Sequence, residues 1–187
     1  MTNPILFTEC DLEYHDLLLP YKQEMIERFF VNMVNEVGYN VPYTNEVIDK
    51  FIIPEIKKIC YNSFDLKDVQ LVHPHIYVQN NRYYLSVYHN HVKSDGTAAF
   101  GLDPCMVVNF YINPASDGGL LEVAPGVDAD GKLKSFKIEV EKDKLYFFPS
   151  WLYHRPLPQE DTEYRICVSI DIFSRQRPYF KPGKVYW

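Results

Sequence analysis

Three histidines have the residue type and spacing of metal ligands. His89 and His91 are separated by one residue, and residues i and i+2 of a β-strand project from the same side. Two imidazoles placed in this way can bind one cation through bonds of ~2.1 Å. His154 follows the apolar residues 147–153, where a solvated histidine is not expected. A metal ligand and a hydrogen-bonded core histidine both fit this position.

A second H-x-H pair shows that the spacing alone is weak evidence, because short patterns recur by chance. His73 and His75 flank Pro74. Proline cannot donate a hydrogen bond to a sheet ladder. We therefore predict an edge strand or a turn with solvated imidazoles for this pair.

Two predicted strands carry polar residues along one face. Arg165, Cys167, Ser169 and Asp171 alternate with Tyr164, Ile166, Val168, Ile170 and Ile172, and Asn109, Tyr111 and Asn113 share a face of another strand. A polar face of this kind either lines a cavity or is exposed to solvent, as in many antiparallel sheets. Both possibilities stay open.

Arg165 is the one strong cation on that face, eleven residues after His154. A guanidinium that faces a sheet interior requires an anion, and its fork suits a carboxylate. The anion could be a protein carboxylate such as Asp171, or it could belong to a ligand.

Two helices precede these strands. Apolar residues recur at steps of three and four over residues 20–37 and again over residues 47–60. Pro20 and Gly38 bound the first helix, Thr44 is a possible N-cap of the second, and Pro54 is expected to kink or split it.

After Asp65 the pattern changes to short β-branched and aromatic segments separated by Gly, Pro, Asn and Asp. About seven or eight strands are predicted, with candidate segments at residues 69–78, 83–91, 106–112, 120–123, 135–140, 144–148 and 164–173. This pattern is typical of an antiparallel sandwich or barrel. We predict a mainly β fold with two N-terminal α-helices packed on the sheet.

The composition is that of one globular domain. The chain has 187 residues, of which 47% are hydrophobic and 24% charged, with a formal net charge of −6. A chain of this length buries a real core without structural metal, so a metal would serve chemistry. The chain has more acidic than basic residues, and its Lys and Arg are dispersed, so it lacks the clustered positive charge typical of nucleic-acid binding. We therefore expect a small-molecule or peptide substrate.

The cysteines and apolar segments indicate a cytoplasmic protein. Cys10, Cys60, Cys105 and Cys167 are widely spaced and form no C-x-x-C motif, so we expect reduced thiols. No secretory signal and no apolar run of 18 residues is found, so no membrane association is expected.

Taken in order, these motifs resemble the Fe(II)- and 2-oxoglutarate-dependent oxygenases, chiefly small bacterial and phage members and, more distantly, prolyl hydroxylases. The resemblance covers residues 83–173. It is carried by the H-x-H pair, Tyr111-Ile112-Asn113, Asp117-Gly118-Gly119-Leu120-Leu121, Phe148-Pro149-Ser150-Trp151 leading to His154, then Arg165 and Ser169.

The resemblance implies a fold and a set of roles. It implies a double-stranded β-helix (jelly roll) in a single domain over 1–187, with a helical part at 1–64, a core at 65–175 and a tail at 176–187. Fe(II), 2-oxoglutarate and O2 are the implied cofactors. The implied metal ligands are His89, His91 and His154, and the residues implied to bind 2-oxoglutarate are Arg165, Tyr111 and Ser169.

This chain departs from the family pattern at His91, where the family has a carboxylate in its H-x-(D/E) pair. His91 serves as a third imidazole ligand, or Asp95 takes the place of the carboxylate, or the position is vacant and the protein is unusual or inactive. The loops 92–103 and 126–132 are polar, and we expect the substrate there. Phe110, Phe148 and Trp151 are candidates for a dry shell around the site.

Two alternatives to an oxygenase remain. A cupin is a metal-dependent jelly-roll enzyme, and His89, His91, Asp95, Pro149 and His154 approximate its motifs. A cupin does not require Arg165, so binding of 2-oxoglutarate distinguishes the two families. The third possibility is a jelly-roll binding module without catalysis, which would bind no stoichiometric metal.

Overall fold

A computed structural model describes residues 6–9, 13–34, 41–72, 74–83, 87–92, 104–113, 120–127, 130–160 and 162–176. Two antiparallel sheets dominate this part of the chain. The larger sheet has the order β1-β8-β5-β10-β4-β2, with β3 pairing beside β4 on β10. Its strands are β1 (Leu6–Glu9), β2 (Val41–Pro42), β3 (Gln70–Leu71), β4 (His75–Gln79), β5 (Met106–Ile112), β8 (Lys144–Pro149) and β10 (Arg165–Phe173).

The smaller sheet has the order β7-β6-β9. Its strands are β6 (Leu120–Val127), β7 (Leu133–Glu139) and β9 (Tyr153–Pro156). The ladder between β6 and β7 shifts register between Val123 and Gly126, as expected for a β-bulge.

The helices precede most of the strands. They are α1 (Tyr14–Leu18), a 3-10 turn (Leu19–Tyr21), α2 (Lys22–Val34), a π-helical turn (Ile48–Ile52) and α3 (Ile53–Phe64). Met25, Phe29 and Ile56 are buried on these helices and belong to one hydrophobic core with the outward residues of the larger sheet. The predicted mainly β fold with helices packed on a sheet is confirmed.

The alternation along β10 gives the larger sheet two different faces. Ile166, Val168, Ile170 and Ile172 pack in the core shared with the helices. A second core, which includes Val107, Tyr111, Leu121 and Phe148, lies between the two sheets. Because side chains alternate along a strand, the polar residues of β10 face this second space.

Several predicted strands have different bounds in the structure. The 69–78 segment is divided into β3 and β4, and β6 extends the 120–123 segment to residue 127. In the described part of 83–91, the strand prediction is wrong: His89 forms only an isolated bridge with His154. The region expected to be helical also contains β1 and β2, and β1 pairs with β8 at the edge of the larger sheet.

The helix boundaries also differ from the prediction. Helical structure begins at Tyr14, before Pro20. The Asn45 side chain accepts a hydrogen bond from the Ile48 N–H at 2.9 Å, whereas Thr44 Oγ1 donates to Asp49, so Asn45 takes the capping role expected of Thr44. Pro54 stands at the start of α3, directly after the π-helical turn, so the regular α-helical hydrogen bonding is interrupted next to the residue that lacks an N–H.

Two further expectations concern cysteines and membranes. Cys60, Cys105 and Cys167 are free thiols, as predicted. Among the described residues, no helix combines the length and apolar character needed to cross a bilayer.

Candidate metal centre

A cavity of about 660 Å³ lies between the sheets, against the inner face of β10. Its polar lining includes His75, His89, His91, Asn109, Tyr111, His154, Arg165, Cys167, Ser169 and Asp171. The alternation on β5 and β10 therefore marks a lined cavity and not a solvent-exposed face. Asn113 belongs to a different environment, because its side chain donates to the Tyr164 carbonyl oxygen.

The register of the strands gives the order in which these lining residues follow one another along the cavity. Ser169 lies opposite Asn109 and His75, and Cys167 lies opposite Tyr111 and Tyr77. Arg165 and Asp171 occupy opposite ends, six residues apart on β10. At ~3.3 Å per residue their Cα atoms are about 20 Å apart.

Backbone pairing brings His89 and His154 together. Each donates its N–H to the carbonyl oxygen of the other, at 3.0 and 2.9 Å. The His91 N–H donates to the Ser150 carbonyl oxygen at 2.8 Å. The irregular segment 87–92 is thereby fixed along β9 and the turn before it.

The three imidazoles converge. The ring centroids of His89 and His154 are 4.3 Å apart, and the rings of His91 and His154 are parallel at 5.2 Å. One ring nitrogen from each histidine lies within 4.8 Å of the other two. This cluster could hold one metal ion, and three imidazoles suit Fe, Zn, Cu or Ni.

Hydrogen bonds at Nδ1 select the tautomer of two of these histidines. The contact from His89 Nδ1 to the Val87 carbonyl oxygen is 3.1 Å, and that from His154 Nδ1 to the Leu152 carbonyl oxygen is 3.0 Å. Because a carbonyl only accepts, Nδ1 carries the proton and Nε2 presents its lone pair.

Desolvation favours the neutral form of both imidazoles, at His154 because it is buried and at His89 because neighbouring atoms cover part of an otherwise exposed ring. It lowers the pKa of His154 well below its usual value, with a smaller contribution from His89 and His91. Desolvation also lowers the pKa of His89. Neutral imidazole is the form that binds a metal ion.

His91 is held differently, by a carboxylate. Its Nδ1 lies 2.7 Å from Asp171 Oδ1, although the oxygen is not aligned with the ring N–H. The Nε2 atom of His91 is buried and has no hydrogen-bond partner among the described residues. Such an unsatisfied buried atom is unusual in a protein and fits a site that binds a ligand.

Arg165 is 2% exposed at the other end of the cavity. Its guanidinium carbon lies 5.6 Å from the centre of the Tyr111 ring. Burial lowers the pKa of Arg165, but guanidinium is so basic that it stays charged at neutral pH. Asp171 contacts His91 at the far end, so the suggestion that Asp171 pairs with Arg165 is wrong.

Tyr111 and Ser169 both line the cavity. Burial raises the pKa of Tyr111 well above its usual value, so its hydroxyl stays protonated and can donate. Tyr111 and Cys167 are hydrogen-bonded to each other, and burial raises the pKa of the Cys167 thiol to about 12. Ser169 lies four residues from Arg165, closer to the histidines.

Several expectations about the surroundings need correction. His75 lines the cavity in a paired strand and is not a solvated histidine. Phe148 contacts His154 with ring centroids 4.6 Å apart, but Phe110 packs on the helix side against Tyr14, and Trp151 is half exposed. His73, Asp95, residues 93–103 of the first predicted substrate loop and residues 128–129 of the second lie outside the described residues.

Sequence reasoning missed two features of the site. Asn109 was placed on the right face, but nothing indicated that its Oδ1 would be buried with no hydrogen-bond partner from the residues that the structure describes. The contact between Asp171 and His91 joins residues far apart in sequence, and the only signal for it was the position of Asp171 on the polar face of β10.

A buried carboxylate on the outer face of the smaller sheet supports the histidines. Glu122 accepts hydrogen bonds from Ser135 Oγ at 2.8 Å and Arg155 Nε at 2.7 Å. It is also hydrogen-bonded to Tyr88, whose ring lies 4.4 Å from the Arg155 guanidinium carbon. Tyr88 and Arg155 are the chain neighbours of His89 and His154, so this network holds the two histidine-bearing segments together.

No protein-family model and no curated protein matches the sequence. The fold is similar to that of a prolyl-4-hydroxylase from Pseudomonas putida, with 18% identity, coverage of 94% of this chain and 95% of the other, and a TM-score of 0.58. It is also similar to the non-heme alpha-ketoglutarate-dependent carbocyclase SnoK from nogalamycin biosynthesis, with 12% identity, coverage of 97% and 83%, and a TM-score of 0.66.

A third similar structure contains a bound cosubstrate. It is the 2-oxoglutarate complex of a viral collagen prolyl hydroxylase from Paramecium bursaria Chlorella virus-1, with 14% identity, coverage of 93% and 97%, and a TM-score of 0.54. The resemblance seen in the sequence is thus confirmed at the level of the fold, over nearly the whole chain.

Proposed function

We propose that this chain is an Fe(II)- and 2-oxoglutarate-dependent oxygenase, built on a double-stranded β-helix (jelly roll), that hydroxylates a small-molecule or peptide substrate. One observation carries the proposal: the His89, His91 and His154 cluster and the buried Arg165 line the same cavity. The similar folds of a prolyl hydroxylase and an alpha-ketoglutarate-dependent carbocyclase support it.

Each residue would have a defined task. The Nε2 atoms of the three histidines would hold Fe(II), and Arg165 would bind the distal carboxylate of 2-oxoglutarate with help from Tyr111 and Ser169. Iron bound here would supply the activation of O2 that couples conversion of 2-oxoglutarate to succinate and CO2 with oxidation of the substrate.

The protein itself contributes binding, orientation and exclusion of water. Arg165 is nine-tenths or more buried, and a charged hydrogen bond is stronger in such a low-dielectric site than in water. The protonated Tyr111 hydroxyl can donate to the same carboxylate. Phe148, fully buried against the His154 ring, limits both the motion of that imidazole and access of water to it.

The charged end of the cavity favours an oxygenase over the cupin alternative. A metal site alone would fit either family, but a guanidinium buried in the same cavity suits a dicarboxylate that reaches from the metal. The converging imidazoles with a buried, unsatisfied His91 Nε2 argue in turn against a binding module without metal.

The deciding experiment measures succinate formed from 2-oxoglutarate with Fe(II) in air. We expect turnover by the wild type and none by His154→Ala, which removes a buried ligand. His15→Ala is the matched control, because His15 lies on α1 beside Asp16, away from the cavity. Equal turnover by wild type and His154→Ala, or none by either, would sink the proposal.

Metal analysis separates the alternatives if succinate is not formed. Stoichiometric metal without binding of 2-oxoglutarate would favour the cupin, and absence of stoichiometric metal after anaerobic reconstitution with Fe(II) would favour the binding module.

We further propose a cytoplasmic location, since the described cysteines are free thiols, and a substrate other than nucleic acid, since the chain is acidic.

A further inference from the structure

The family pattern has a carboxylate two residues after its first histidine, where this chain has His91. A carboxylate on β10, that of Asp171, lies next to His91. We propose that Asp171 is a positioning residue for the metal centre, which orients His91 and returns to the site the negative charge that three neutral imidazoles lack. This inference rests on the proposed function, because it assumes that His91 binds the metal.

The geometry that supports the proposal is a contact between the irregular segment 87–92 and strand β10. His91 belongs to the irregular segment 87–92, whereas Asp171 sits in the middle of the larger sheet, paired with Val107 of β5. The two side chains are 2.7 Å apart and both are mostly buried, with exposed fractions of 18% and 17%.

The contact leaves the correct atom of His91 for a metal. Asp171 lies against Nδ1, and the buried Nε2 atom has no hydrogen-bond partner in the part of the chain that the structure describes. The last torsion angle of an aspartate turns easily, so a small rotation aligns the carboxylate with the ring N–H. A carboxylate that accepts from a ligating histidine fixes the tautomer and makes the imidazole a stronger donor.

The carboxylate also changes the charge of the site. His89 and His154 have backbone carbonyls at Nδ1, which add no formal charge. With a divalent ion and three neutral imidazoles the centre would carry two positive charges, and Asp171 reduces the sum to one. A divalent ion bound by two neutral histidines and one carboxylate has the same net charge. Here the carboxylate would contribute its charge through His91 instead of binding the ion.

The structure distinguishes this role from direct ligation. The ring nitrogens of the three histidines lie within 4.8 Å of one another, and Asp171 does not join that group. Its contact is with Nδ1 of His91, which leaves Nε2 for the ion. Asp171 would therefore contact a ligand residue, His91, without binding the ion itself.

The test compares Co(II) affinity, measured by calorimetry, for the wild type and Asp171→Asn. We expect about 10- to 100-fold weaker binding, the usual effect of losing such a partner, with the visible absorption spectrum of bound Co(II) unchanged in shape. Glu139→Gln, which removes one exposed carboxylate on β7, is the control for net charge and should bind as the wild type does. Thermal unfolding of both metal-free variants checks that they remain folded.

Unchanged Co(II) affinity in Asp171→Asn would overturn the proposal. A changed Co(II) spectrum would also overturn it, since this result would make Asp171 a ligand. The outcome is separable from the oxygenase proposal: wild-type turnover with no effect of Asp171→Asn would refute only the role of Asp171. Weakened Co(II) binding in a protein that forms no succinate would refute only the oxygenase.

Discussion

Replacing Arg165 by methionine tests whether this buried guanidinium binds 2-oxoglutarate. Methionine keeps most of the side-chain length and apolar volume but removes the charge and the donors. The substitution therefore leaves the packing against Tyr111 largely intact, while it removes the only arginine in the lining of the described cavity. Arg165→Lys is the matched variant, since it keeps a charge without the planar fork.

The expected magnitude follows from the burial of Arg165. A guanidinium that is 2% exposed is poorly screened by water, and truncating one partner of such a charged pair costs about 2–4 kcal/mol, near the lower end of the measured range. At ~1.4 kcal/mol per tenfold, this corresponds to roughly 30- to 700-fold weaker binding of 2-oxoglutarate. Loss of one neutral donor in Tyr111→Phe costs about 0.5–1.5 kcal/mol, or roughly 2- to 12-fold.

The assay is calorimetric titration of 2-oxoglutarate into protein loaded with Mn(II). Mn(II) is used because the protein loaded with it does not consume 2-oxoglutarate during the titration. The titration is paired with the KM for 2-oxoglutarate in the succinate assay. Arg165→Lys should lie between the wild type and Arg165→Met. Equal affinity in Arg165→Met and wild type, with a wild type that does bind 2-oxoglutarate, would refute the assignment of the carboxylate site.

Three other predictions concern the framework of the site. Glu122→Gln should lower the free energy of unfolding by about 1–3 kcal/mol in urea titrations, because Arg155 and its neighbours lose a buried charged acceptor. Since these hydrogen bonds hold the pKa of Glu122 below its usual value, the wild type should lose this stability as pH falls below the ordinary Glu range, and the variant should lose less. Phe110→Ala should destabilise by about 3–5 kcal/mol without weakening Co(II) binding, because Phe110 is buried on the helix side. Alkylation of Cys167 in the native protein should remain slow at pH 8, because a pKa of about 12 leaves little thiolate. Rapid modification detected by mass spectrometry would contradict this raised pKa.

Periodicity explains which parts of the fold were predictable. The 106–112 segment coincides with β5, and the alternation over 164–172 correctly separated the apolar face of β10 from its polar face. The structure adds that the polar face lines a cavity. Side-chain direction in a strand depends only on local backbone geometry. The two long helices followed from their apolar spacing for the same reason.

Boundaries and irregular segments were less predictable. The segment around His89 has apolar and aromatic residues but forms only a single bridge with β9, and β1 was missed because a four-residue edge strand carries little local signal. Whether such segments pair depends on a partner elsewhere in the chain. Tertiary context overrides local propensity in these places.

The sequence by itself determined the candidate donors and the face of the strand on which each lies, because residue type and alternation are local properties. Only the tertiary structure decided which of them meet. His89 and His154 are joined by strand pairing across 65 residues, and His91 meets Asp171 across 80. Arg165 and Asp171, both on one polar face, lie at opposite ends of the cavity. Contacts over such separations depend on strand order and register, which the packing of the whole chain sets and no local pattern encodes.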